Sequence, residues 1–241
     1  MRRLLALLVL LLTQPVLATA APLLRLSTIN QEPVGDTAAA VLQRAYAQLG
    51  IKLELVHLPA IRALAAANRG ETDGDVARYS DIEVDNPQLL RVPVPIMQLE
   101  ISAVTRGLAF PLSGSASLAP YRVCVRRGIK PTDDYTQDLN RFTSNSESHM
   151  LVMLLAGRCQ VALLSQYVWP EVERLSAGPL RLIQPPLLHI TLYHYLHQRH
   201  AALLPRITRV LQTMQRHGEI RRIVAQAEQP LQLARQRQTL P

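Results

Sequence analysis

Apolar and polar positions along this chain fall into blocks that switch between two periods. LLRLST (residues 23–28) is a short apolar run of strand type. From Asp36, placed to cap a helix, the apolar residues Val41, Leu42, Ala45, Tyr46 and Leu49 recur at helical spacing, and Gly50 ends the run. IKLELV gives a second strand, PAIRALAAANR a second helix closed by Gly70, and TDGDVAR a third strand. The order βαβαβ predicts parallel strands with helical crossovers.

The series breaks at SDIEVDNPQLLRVPVPI (80–96), and QLEISAVTR (98–106) is extended. After a loose Gly/Ser/Ala/Pro stretch over 107–120, a second series begins: strand YRVCVR, a helix near 133–141, strand FTS, helix SESHMLVMLLA, Gly157 and strand CQVALL. One unit, helix then Gly then strand, thus occurs twice, which favours two small α/β lobes over a single sheet. ITLYHYL is a further strand. A helix from Pro205 buries Ile207, Val210, Leu211 and Met214, a short helix EIRRIVAQA follows, and QPLQLARQRQTLP reads as a frayed tail.

The first 20 residues have a different character. Met1-Arg2-Arg3, an apolar block from Leu4 to Leu12, and small residues at Ala18 and Ala20 make a secretory signal peptide with cleavage expected before Ala21. The mature chain is then expected in the periplasm. Its charge, 24 basic against 18 acidic residues once Arg2 and Arg3 are removed from the 26, is +6. The arginines are spread along the whole chain, so this charge does not point to nucleic acid. An oxidising compartment permits a disulfide between Cys124 and Cys159. Both cysteines lie in apolar strand-like runs, so a bridge and two buried thiols are both open readings.

Three segments carry a family resemblance: LPAIRALAAANRGETDGDVAR (58–78), NSESHMLVMLLAGRCQVALLSQ (145–166) and LYHYLHQRHAALLPRITRVLQTMQRHGEI (192–220). In order and spacing they resemble the bacterial extracellular solute-binding proteins of the amino-acid-binding kind, which have the type II periplasmic binding fold. The resemblance implies an α/β protein of two lobes, with parallel or mixed sheets, helices on both faces, and two extended hinge segments near 99–105 and 188–195. Lobe one would comprise residues 21–101 and 192–241, and lobe two residues 102–191. Ligand would sit in the cleft beyond the carboxyl ends of the strands, and the lobes would close on it.

Arg78 stands at the carboxyl end of the third strand, facing that cleft. A guanidinium there can hold a carboxylate through paired hydrogen bonds, whereas the competing reading is an ion pair with Asp73, Asp75 or Asp81. Other candidates at strand ends are Asn30, Gln31, Tyr79, Arg126, Ser144, Asn145 and Gln166, with Arg62 reaching from the second helix. Ser144-Asn145-Ser146 could offer helix N–H groups to an anion, or could simply cap the helix. The sequence departs from the family pattern in three places. NQEPVGD lacks the aromatic that follows the first strand, Gly128-Ile129-Lys130-Pro131 replaces a Gly-Thr/Ser turn, and Ser165-Gln166 stands where an Asp often holds a ligand ammonium.

His194, His197 and His200 recur every third residue, but across a strand-to-loop change they would not share a face. No acid lies near them in sequence, and no metal or cofactor is expected. The implied role is capture of a small polar, carboxylate-bearing metabolite by a monomer that serves an ABC-type permease or a membrane sensor. Two rivals remain open. One is a dehydratase-like enzyme on the same scaffold, for which Glu32 is the acid at the cleft edge. The other is a degenerate protein-binding module.

Overall fold

The computed structural model describes residues 22–30, 33–175 and 180–238. The proposed signal peptide and Gln31 and Glu32 lie outside these residues. The first half contains β1 (Leu23–Ile29), α1 (Pro33–Ala47), β2 (Lys52–Leu58), α2 (Ala60–Asn68) and β3 (Gly74–Arg78). A 17-residue strand, β4 (Leu89–Thr105), leads to β5 (Val123–Arg126), α3 (Lys130–Tyr135), β6 (Arg141–Ser144), α4 (Glu147–Leu155), β7 (Val161–Ser165) and α5 (Trp169–Arg174). A second long strand, β8 (Arg181–His197), returns to α6 (Leu204–Arg216) and α7 (Glu219–Gln238).

β1 pairs in parallel with β2 and β3, and β5 with β6 and β7, as helical crossovers require. Each half is therefore a small α/β lobe. The expectation of separate sheets is corrected. Among the described residues the strands form one continuous order, β2-β1-β3-β8-β4-β7-β5-β6. The two crossings cause this continuity, because β4 and β8 pair antiparallel with each other from Leu89↔His197 to Thr105↔Arg181. β4 also runs straight through VPVP, where a break was expected. Its register with β8 shifts around Pro95, and such an irregularity accommodates residues without an N–H donor.

One face of this sheet carries a core shared by both lobes. It joins Leu26, Val41, Leu42, Tyr46 and Val76 of lobe one to Val123, Val125, Val161 and Leu163 of lobe two, and to Ile207, Leu211 and Met214 of α6. The opposite face of lobe two has its own core of Met150, Leu151, Leu154, Trp169 and Val172. Cys124 and Cys159 belong to that core and are joined by a disulfide (S–S 2.07 Å), which resolves the two readings of the pair.

Two glycines set close approaches. At Gly74 a Cβ would lie 2.1 Å from the Tyr195 carbonyl oxygen, so a side chain there would force β8 away from β3. Gly128, with φ +80°, lies beyond the end of β5, and a Cβ there would meet Ile61 of α2 at 3.0 Å. Lobe two therefore touches lobe one across the cleft mouth. The tail expected to fray is also corrected: α7 continues to Gln238 through Pro230.

Candidate functional site

The carboxyl ends of β1 and β3 face those of β5 and β7, and two cavities open between them. The inner one, of about 40 Å³, is lined by Thr28, Arg78 and Tyr79 from lobe one, Gly128 and Ile129 from lobe two, and Leu99, Ile190 and Leu192 of the crossings. The outer one, of about 410 Å³, has Pro33, Asp36 and His57 on the lobe-one side. Arg126, Glu147, Ser148, Ser165, Tyr167, Glu171 and Arg174 line it from lobe two.

Arg78 is buried, and its Nη2 donates to Asp75 Oδ2 at 2.9 Å and to the Ala60 carbonyl at 3.3 Å. Of the three aspartates considered, Asp75 is thus the ion-pair partner. Residues three apart on a regular strand point to opposite faces. Here the β3–β8 register shifts between Asp75 and Arg78, and the two side chains meet. Asp75 is held in turn by Ser27 Oγ at 3.0 Å and by the Ala77 N–H at 3.2 Å. The pair leaves Arg78 Nε buried with no hydrogen-bond partner, on a side chain that lines the inner cavity. The arginine is therefore fixed in place by a structural pair, with one buried donor unused.

Behind this pair sits His194, fully buried on β8. Its Nδ1 lies 2.8 Å from the Asp75 carbonyl oxygen, and its Nε2 lies 2.8 Å from Tyr46 Oη. A carbonyl can only accept, so Nδ1 carries the proton and Nε2 accepts from the tyrosine. Burial holds the imidazole pKa down at about 4, against the raising effect of the backbone groups of Asp75 and Val76. Burial, with the Asp73 charge behind it, pushes the Tyr46 hydroxyl far up, so both rings stay neutral.

The other histidines are separate. His197 accepts from the Arg199 N–H at 3.2 Å at the start of a 3-10 turn. The expectation that no acid lies near the three histidines is corrected, since His200 Nε2 is 2.6 Å from Asp73 Oδ1. Burial alone would raise the Asp73 carboxyl pKa. The Arg25 N–H at 2.7 Å, together with Arg199 and His200, outweighs it and lowers the pKa.

The remaining candidates divide. Tyr79 lines the inner cavity, while its carbonyl accepts from Tyr195 Oη at 2.9 Å. Burial raises the Tyr79 hydroxyl against the lowering influence of Arg78 and Lys130. Arg126 is buried at the end of β5 on the wall of the outer cavity. Asn30 ends β1 with its N–H on the Leu58 carbonyl at 2.9 Å, Arg62 is exposed on the first turn of α2, and Asn145 is exposed after β6. Ser144 is buried against His149 Nδ1 at 3.1 Å. Ser146 caps α4 through the His149 N–H at 3.2 Å, which is the capping reading of that tripeptide.

Gln166 turns away from both cavities. It accepts from the Glu100 N–H at 2.8 Å and donates to the Gln98 carbonyl at 3.2 Å, lining a groove of about 720 Å³ between β4 and the last two helices. The outer cavity gathers residues that sequence reasoning passed over: Asp36, His57, Glu147, Glu171 and Arg174. Asp36, expected as a helix cap, lies inside the first turn of α1, which begins at Pro33. Glu147 accepts from Ser165 N at 3.0 Å and Ser165 Oγ at 2.8 Å, so it orders the end of β7.

No family model matches the chain. An uncharacterized protein of Shewanella oneidensis is 26% identical over 196 residues, covering 78% of this chain and 74% of its own. Among solved structures, the GluR0 ligand-binding core in complex with L-glutamate superposes with TM-score 0.73 at 13% identity, over 86% of this chain and 99% of its own. An ancestral arginine-binding protein bound to arginine gives TM-score 0.71 at 16% identity, over 86% and 99%. The VFT2 domain of BvgS from Bordetella pertussis gives 0.67 at 18% identity, over 85% and 93%. These likenesses establish the fold: two lobes of the type II periplasmic binding architecture.

Proposed function

We propose that this chain is a solute-binding protein that closes its lobes on a small polar, carboxylate-bearing metabolite in the periplasm, for delivery to an ABC-type permease or to a sensor. The observation that carries the reading is Arg78. It is a buried guanidinium at a strand's carboxyl end, oriented by Asp75, with an unpartnered buried Nε, on a side chain that lines a cavity formed by both lobes. Such a donor is suited to a carboxylate, and its bonds strengthen where water is excluded. Two of the named neighbours are complexes with arginine and with L-glutamate, which suits an amino-acid-like ligand.

Size decides where the bulk of that ligand sits. Small-molecule sites occupy roughly 300–1,000 Å³. The outer cavity, at about 410 Å³, falls in that range, and the inner one, at about 40 Å³, holds no more than a single small group. In this reading the carboxylate enters beside Arg78, and the remainder lies among Asp36, Arg126, Glu147 and Glu171.

A thermal-shift screen of purified mature protein against amino acids, dicarboxylates, polyamines and small peptides tests this. A ligand that binds only the folded state adds about 2.7 kcal/mol at a hundredfold excess over its dissociation constant. The comparison variant is the double substitution Asp75→Asn/Arg78→Met, which removes both charges together. A carboxylate-bearing hit that disappears in the double variant supports the proposal. Hits confined to polyamines, or a hit unchanged in the variant, would overturn it.

A further inference from the structure

We propose that α7 is a strap that holds the two lobes together in the arrangement seen here, with Pro230 as its joint. The N-terminal half of α7 belongs to lobe one. Glu219 Oε1 accepts from Arg44 Nε of α1 at 2.7 Å, and Ile220 is buried in the shared core beside α6. The C-terminal half keeps Leu231 in the shared core and Arg235 beside Glu100 of β4, and its last turns reach lobe two. Ala234, 1% exposed, enters the core of Met150, Trp169 and Val172, and Arg237 pairs with Glu173 of α5 at 2.9 Å.

Between these halves Glu228 accepts from two lobe-two side chains, Tyr167 Oη at 2.8 Å and Gln166 Nε2 at 3.3 Å. One helix is thus anchored on both bodies that a hinge motion would separate. Rotation of lobe two about the β4–β8 ribbon must extract Ala234 from its core, or bend the helix. Pro230 lies two residues past Glu228, has no N–H for the Gln226 carbonyl, and makes this the weakest point of the helix. The strap thereby opposes opening and sets how much of the population is open to ligand.

The inference needs the two-lobed geometry but no ligand, so its test stands apart from the ligand screen. The cysteines of the described chain are bridged, which allows spin labels at Val84→Cys on lobe one and Gln137→Cys on lobe two. Interlobe distances are then measured in the full chain, in a chain truncated after Gln229, and in Ala234→Glu, which keeps the helix but expels it from the lobe-two core. Both variants should show longer or broader distances than the full chain while still melting cooperatively. Distances unchanged in Ala234→Glu overturn the strap, and that variant decides the matter if the truncated chain does not fold.

Discussion

Arg78 and Asp75 make sense only as a pair. The side chains are 5% and 1% exposed, so removing either strands a buried charge. Breaking such a pair costs about 3–5 kcal/mol, whereas replacing both partners together is often nearly neutral. Arg78→Ala should therefore lower urea-unfolding stability by about that amount, and the double variant Asp75→Asn/Arg78→Met should recover most of it; equal losses in both would refute the pairing. His194 sets a pH dependence. Its folded pKa of about 4 lies below the ordinary value of about 6.5, so the folded state excludes a proton that the unfolded state binds. Its contribution is fully present above pH 6.5, declines as pH falls, and is lost by about pH 4, a loss of roughly 3 kcal/mol. In His194→Gln the stability profile between pH 6.5 and 4 should be flatter than in the wild type. The sequence put Arg78 at the strand end and offered three aspartates to pair with it. It could not show which, because the choice depends on a register shift against β8, a strand far away in the chain.

The elements that sequence periodicity caught best are those with one plain apolar face, α1, α2, α4 and α6, and the strands between them. Those it missed were obscured by proline. VPVP reads as a break, yet β4 passes through it because the ladder to β8 is irregular there. α7 continues through Pro230, and past that point its buried residues Leu231 and Ala234 are too few to mark a helical stripe. The helix of lobe two expected near 133–141 forms earlier, at Lys130–Tyr135, with Pro131 in its first turn, a favoured position for proline. The disulfide was undecidable from sequence, since it depends on β5 lying beside β7, where Cys124 pairs with Ala162. It closes a separation of 35 residues within lobe two. A loop of that size stabilises by about 2–4 kcal/mol through the entropy of the unfolded chain. Reduction should lower the denaturation midpoint accordingly, and a midpoint indifferent to reductant would show that the bridge adds nothing.

At the scale of the molecule, the two-lobe plan was legible because the helix-Gly-strand unit recurs, and the division of the strands follows from it. The union of the lobes into one sheet was not legible, because it arises from pairing between β4 and β8, whose partners carry no local signal of one another. The cleft was legible as a place, the carboxyl ends of the strands, but its larger chamber was not. That chamber draws on α1, α5 and the flank of α4, which only the tertiary packing brings together. The topology also divides the contacts into near and distant ones. The strands β5, β6 and β7 of lobe two come from one uninterrupted stretch of chain that contains its bridge, and α7 adds Ala234 to that core. Lobe one has to wait: β3 meets its neighbour β8, and the Asp75 carbonyl meets His194, across 119 residues of sequence. Contacts that distant are slow to form, since the intervening chain must first be ordered. A chain that has not yet placed β8 therefore leaves the sheet of its first lobe incomplete. The wall that carries Arg78 is then expected to form late in refolding, after the local pairings of lobe two.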